Sequence, residues 1–80
     1  MEERKVEYKD WEMDLLEEYT STKEKYNALH SAIIKREAGV LDFEPKESLD
    51  IWKRQASAMG SYLYVLEIRM VINGIEVPKV

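Results

Sequence analysis

The sequence predicts an all-α fold, an antiparallel two-helix hairpin completed by homo-oligomerisation into a helical bundle. Three observations predict it. Trp11, Leu15, Tyr19, Thr22, Tyr26, Leu29 and Ile33 recur at spacings of three and four, which marks one face of a helix. Leu49, Trp52, Ala56, Met59, Leu63, Leu66 and Met70 repeat that spacing after a break holding Gly39 and Pro45. The second segment also carries more apolar surface than one partner helix covers.

The chain has 80 residues, read as one small domain over 1–80. A chain of this size hides only roughly 60% of the surface its unfolded form exposes, so alone it is marginal. With no cysteine and one histidine, disulfides, thiolate metal sites and multi-histidine zinc sites within one chain are excluded. No metal or cofactor is expected. Sixteen acidic and twelve basic residues give a net charge of −4. That argues against direct nucleic-acid binding, which needs a basic surface to neutralise phosphates, and permits a basic protein partner. MEERKVEYKD at the N-terminus lacks the apolar core of a signal peptide. The longest apolar run, Tyr62–Leu66, is far short of the ~20 residues that span a bilayer. A cytoplasmic protein with no membrane contact is expected.

Taken in order, residues 1–9 read as a fraying helical turn or a disordered segment, with a short edge strand through Val6 and Tyr8 as the alternative. The first helix is expected over about 10–37, with Asp10 as N-cap and Trp11 as first helical residue. No Gly or Pro falls between Asp10 and Arg36, Lys35 and Arg36 suit the negative end of the helix, and Gly39 follows as a stop. Residues 38–44 form the connection, where Val40, Leu41 and Phe43 are expected to plug the closed end. Phe43 would pack on Leu49 as a hydrophobic staple. The second helix is expected over about 45–73, with Pro45 in its first turn, Glu47 and Asp50 near its positive end, and Asn73–Gly74 ending it. Residues 74–80 make an extended tail that crosses back over the hairpin or reaches a neighbouring subunit. Pro78 bars the tail from a central strand. Ala56 and Gly60 would let another backbone come close, and Gly60 costs about 1 kcal/mol of helix propensity against Ala.

A second row on the second helix, Ile51, Gln55, Ala58, Tyr62, Val65, Arg69 and Ile72, flanks the seam. Tyr64, Ile68 and Val71 lie off both rows, and from Tyr62 to Ile72 only Glu67 and Arg69 are charged. A helix apolar nearly all round must be buried on several sides. The row is therefore the candidate oligomer or ligand surface. Gln55 and Arg69 either fix register there or read a ligand beside Tyr62.

The N-terminal half of the first helix is acidic. Glu7, Asp10, Asp14 and Glu17 form a row with Glu18 and Glu12 beside it, and Asp10–Glu18 holds five acids and no base. Such a field can imitate nucleic-acid phosphates and occupy a basic groove, or simply complement the helix dipole. His30 has no catalytic companion and reads as a rim or structural residue. With no phosphate loop, dinucleotide fingerprint or metal-ligand spacing, and no deep cavity to shift a carboxylate pKa, no enzyme activity and no catalytic residue are expected.

The two helical patterns together resemble a group of short phage and prophage proteins named by relation to a crAss-like phage gene product. The matching residues are Glu17, Glu18, Lys25, Leu29, Ile33, Gln55, Ala58, Met59, Tyr62, Leu66 and Arg69, within residues 11–70. The longer termini and the IEVPKV tail depart from that pattern. The resemblance implies a phage accessory protein of the infected host's cytoplasm and transfers no functional site. The leading expectation is stoichiometric inhibition of a host defence system, anti-CRISPR-like, through a host protein or protein–nucleic-acid complex. The alternatives are an oligomeric sponge for a nucleotide second messenger, with Arg69, Gln55 and Tyr62 meeting phosphate, base edge and ring, and a structural or assembly protein of the virion.

Overall fold

The computed structural model describes residues 7–80; the expectations for residues 1–6, Val6 among them, lie outside the described residues. The fold is all-helical. Helix α1 spans Asp10–Glu37 and helix α2 spans Leu49–Ile72, and the two pack against each other as a hairpin measuring 52 × 26 × 16 Å.

Helix α1 starts one residue earlier than the acidic N-cap reading places it. Lys9 is the N-cap and Asp10 is already helical. The Glu12 carboxylate accepts the Lys9 N–H at 2.9 Å, and the Lys9 carbonyl accepts from Glu12 and Met13. The side chain at the third helical position thus satisfies the N–H of the N-cap residue, the return half of a capping box. At the far end Gly39 takes a positive φ of 75°, while Gly39 and Val40 donate to the carbonyls of Arg36 and Lys35. This is a Schellman stop.

Helix α2 begins at Leu49, not at Pro45. Ser48 is its N-cap, and its hydroxyl accepts the Ile51 N–H at 3.2 Å. A capping oxygen satisfies a backbone donor that Pro45 can only leave out, so the helix starts where the cap is and Pro45 stays in the connection. Of the three residues expected to plug the closed end only Leu41 is half-buried. Val40 and Phe43 remain 67% and 57% exposed. Phe43 lies against the Trp52 ring, centroid to centroid 6.4 Å. The Arg36 guanidinium sits 4.9 Å over the other partner of that contact, Trp52, and a Lys53–Glu37 ion pair bridges the two helices.

The seams are where the spacing places them, and the core is concentrated toward the open end. Leu15, Tyr19, Leu63, Leu66, Met70 and Ile75 form one buried cluster, with Tyr8, Leu16, Tyr26 and Val77 packed against it. Ile33 is buried further along, nearer the turn. Trp11, read as a seam residue, ends up 44% exposed at the mouth of the hairpin. Gly60 does not mark a close backbone approach. A methyl group there would lie 3.7 Å from Tyr26 Cε2, an ordinary contact.

The tail crosses back over its own hairpin. Gly74 has φ 69°, Gly74 donates to the Val71 carbonyl and Ile75 to that of Met70. This second Schellman stop turns the chain so that Ile75 drops into the core at 3% exposure. The hydrophobic contact between the residue after the glycine and the last turn belongs to the motif.

Candidate functional site

Toward the open end of the hairpin, α1 contributes Trp11, Asp14, Leu15 and Glu18, and α2 contributes Tyr62, Leu66 and Arg69, to a lateral cleft of about 420 Å³. Leu15 and Leu66 are core residues and form its floor. Trp11 and Tyr62, each nearly half exposed, form aromatic walls, and the charged groups sit at the rim. The spacing explains the convergence. At about 100° per residue, Asp14 and Glu18 lie together on one side of Leu15 on α1, and Tyr62 and Arg69 together on one side of Leu66 on α2.

The Tyr62 hydroxyl donates to Glu18 Oε1 at 3.2 Å across the helix pair. Partial burial pushes the Tyr62 pKa above the usual phenol value, the Glu18 carboxylate pushes it the same way, and Arg69 draws it back. On the other flank the buried Tyr19 hydroxyl donates to Glu67 Oε2 at 3.0 Å. Burial, then the hydrogen bond and charge of Glu67, raise its pKa from 10.0. A raised folded-state pKa means that Tyr19 contributes stability that is complete below pH 10 and is lost as pH climbs through the folded value. The hairpin is therefore expected to lose stability above about pH 10, and Tyr19→Phe to flatten part of that loss. Urea melts at stepped alkaline pH read both.

The candidate rows divide differently in space than in sequence. Of the α2 row, Tyr62 and Arg69 line the cleft. Ile51, Gln55, Ala58, Val65 and Ile72 are all exposed outside it, and the Gln55 amide rests on Met59 Sδ at 3.8 Å. The three residues read as one ligand set are thus not brought to one place within a single chain. Of the acidic row, Asp14 and Glu18 face the cleft, Glu17 faces a groove on the other side with Leu16 and Glu24, Asp10 opens α1, and Glu7 lies before the helix. Glu7 therefore does not continue a helical stripe. Trp11 is the cleft residue that sequence reasoning assigned elsewhere. Its position as the second residue of α1, at the very start of the helix, was the available signal.

A second groove of about 390 Å³ is lined by Tyr64, Glu67, Ile68, Val71, Ile72 and Val77. Val77 adds the tail to an apolar patch otherwise formed by α2. Among the described residues no group of three His, Cys, Asp or Glu side chains is placed to hold a metal ion, and no helix is long and apolar enough to cross a membrane.

Fold and cleft define the class: a small helical hairpin with an open, aromatic-walled lateral groove and a large apolar remainder on its second helix. The Sequestin family model matches residues 9–72, which takes in both helices and the turn, and the chain belongs to the Sequestin family. No curated protein and no solved structure gives a significant match.

Proposed function

We propose that this protein is a sponge, a homo-oligomeric sequestering protein that binds a nucleotide second messenger stoichiometrically and does not turn it over. The cleft carries the reading. Trp11 and Tyr62 offer faces on which a base can stack, Arg69 offers the guanidinium that phosphate recognition favours, and about 420 Å³ suits a nucleotide-sized ligand. Asp14 and Glu18 oppose phosphate along most of the rim and leave Arg69 as the one end that accepts it; carboxylates there can take ribose hydroxyls. The family name, Sequestin, supports action by sequestration. A phage origin, which the resemblance to phage and prophage proteins implies, would put such a sponge in an infected bacterial cytoplasm, acting against a defence signal.

A thermal-shift screen with linear and cyclic nucleotides tests this. A ligand at 100 times its Kd stabilises the folded form by about 2.7 kcal/mol, which for a domain this size moves Tm by roughly 10 °C or more. Arg69→Ala and Trp11→Ala are expected to abolish the shift. No shift with any nucleotide overturns the reading.

One observation favours a second reading, the groove-occupying inhibitor of a host nuclease complex. Asp10, Asp14, Glu17 and Glu18 are all exposed and crowd the N-terminal half of α1 with negative charge that a basic groove could accept. If replacing these four by lysine leaves partner binding intact, this version fails.

A further inference from the structure

We propose that the closed end of the hairpin holds a second ligand site, in which Arg36 and Glu44 take the carboxylate and the ammonium of a free α-amino acid, and Leu41, Phe43 and Pro45 take its apolar side chain. The inference goes beyond the sequestration of a nucleotide and does not rest on it. The lateral cleft lies toward the other end of the hairpin: Glu18, at its rim, and Arg36 are roughly 27 Å apart along α1.

The site grows out of the end of α1. Arg36 stands in the last turn of that helix, half-buried, with its guanidinium laid over the Trp52 ring. The stack holds the planar fork in place before any ligand arrives. One of its nitrogens, Nη1, is closed off from solvent and has no hydrogen-bond partner among the described residues. Buried polar nitrogens are nearly always bonded, so this one is a donor whose acceptor is missing. Beyond the turn at Gly39, residues Leu41, Phe43, Glu44 and Pro45 complete with Arg36 a pocket of about 430 Å³. Leu41 and Pro45 are half-buried there, and Phe43 and Glu44 are exposed. Residues 41–47 make no backbone–backbone hydrogen bond, so these walls can adjust to admit a ligand to Nη1.

The charges choose the ligand. The ion pair at this end joins Lys53 to Glu37, and among the described residues Arg36 and Glu44 are paired neither with each other nor with another side chain. Two opposite charges therefore line one pocket, each open to a partner. An oxyanion alone would meet Arg36 but be repelled by Glu44 and by Asp42 and Glu47 in the same connection, against the single base Lys46. That weighs most heavily against phosphates, which carry more charge than a carboxylate. A molecule with one anionic and one cationic end satisfies both charges, and a planar carboxylate matches the guanidinium fork. No other polar side chain lines the pocket, so the body of the ligand is apolar or aromatic and packs on Leu41, Phe43 and Pro45.

The native full-length chain tests this, so no variant's folding is at stake. It is titrated with L-phenylalanine, with N-acetyl-L-phenylalanine, which lacks the ammonium, and with L-phenylalaninamide, which lacks the carboxylate. The Arg36 Nε–H and the amides of Gly39, Leu41 and Phe43 are followed by NMR. L-Phenylalanine is expected to shift them saturably in the millimolar range, and each analogue to bind at least ~tenfold more weakly, the loss that goes with one charged hydrogen bond. Glu44→Gln is expected to weaken L-phenylalanine by a similar factor and to leave the melting temperature of the ligand-free chain unchanged. No saturable shift with L-phenylalanine overturns the inference. So does N-acetyl-L-phenylalanine or inorganic phosphate binding as tightly as L-phenylalanine, which would mean an adventitious anion on Arg36 only. A lowered melting temperature in Glu44→Gln also overturns it, because Glu44 would then already be paired within the chain. Failure of the nucleotide screen leaves these shifts unaltered, so the two ideas fail separately.

Discussion

Leu66→Ala is expected to destabilise the hairpin by about 2–5 kcal/mol, among the largest effects of single truncations of the described residues. Leu66 is 1% exposed and sits among Leu15, Tyr19, Leu63 and Met70, where α1 and α2 meet and where the floor of the cleft is laid. Domains of this length have a total stability of only ~4–12 kcal/mol, so the substitution removes a large share of it. The surrounding side chains are held by two helices and a folded-back tail, which limits how far the site can collapse onto the missing methyl groups. Ile34→Ala makes the control. Ile34 follows buried Ile33 but is 54% exposed, and its truncation is expected to cost about 0.5 kcal/mol or less. Urea melts read the difference as a lower midpoint at unchanged slope. Equal midpoints for the two variants would refute the buried placement of Leu66.

Ile75→Ala is expected to cost about 2–5 kcal/mol as well, although the residue lies outside both helices. Ile75 is 3% exposed, and its N–H donates to the Met70 carbonyl at 2.9 Å. Removing the side chain empties part of the core and also loosens the stop at Gly74, because the apolar contact is what holds the tail against the last turn. The signature is local as well as global. Amide exchange at Asn73, Gly74 and Ile75 should quicken more than that at Leu63. Val80→Ala, 42% exposed at the end of the same tail, should change neither. If Ile75→Ala melts like the native chain, the tail is not part of the core.

These two residues also show what the sequence made legible. The seam through Leu63, Leu66 and Met70 was readable because a buried helical face repeats every three to four residues, and no local feature competes with that signal. Ile75 was harder. A glycine followed by an apolar residue is the signal for a Schellman stop with its hydrophobic contact, but IEVPKV also reads as an exposed extended tail, and only the return of the chain decides between them. The start of α2 went wrong for a related reason. Pro45 and Ser48 are both N-terminal signals, and the spacing of the seam cannot say which one closes the first turn.

The candidate site was legible as a set of surfaces more than as a place. Tyr62 and Arg69 stood out because they flank the seam, and the cleft does hold both. Gln55 was grouped with them by a seven-residue spacing that puts it two turns away. The acidic row divided because neighbouring residues such as Glu17 and Glu18 point about 100° apart on a helix. A charge count along the chain cannot see that division. Trp11 was assigned to the core by its spacing, but as the second residue of α1 it stays 44% exposed and becomes a wall of the cleft.

The single turn between α1 and α2 has a kinetic consequence. Nearly every contact in the described chain is either within a helix or between two helices that one short connection places side by side. Topologies so rich in local contacts fold in microseconds to milliseconds, whereas synthesis at about 5–20 residues per second takes several seconds for a chain this long. The second helix cannot find its partner until it has left the ribosome, and once it has, folding adds no delay. The rate at which folded copies of the hairpin accumulate is then set by translation and not by folding.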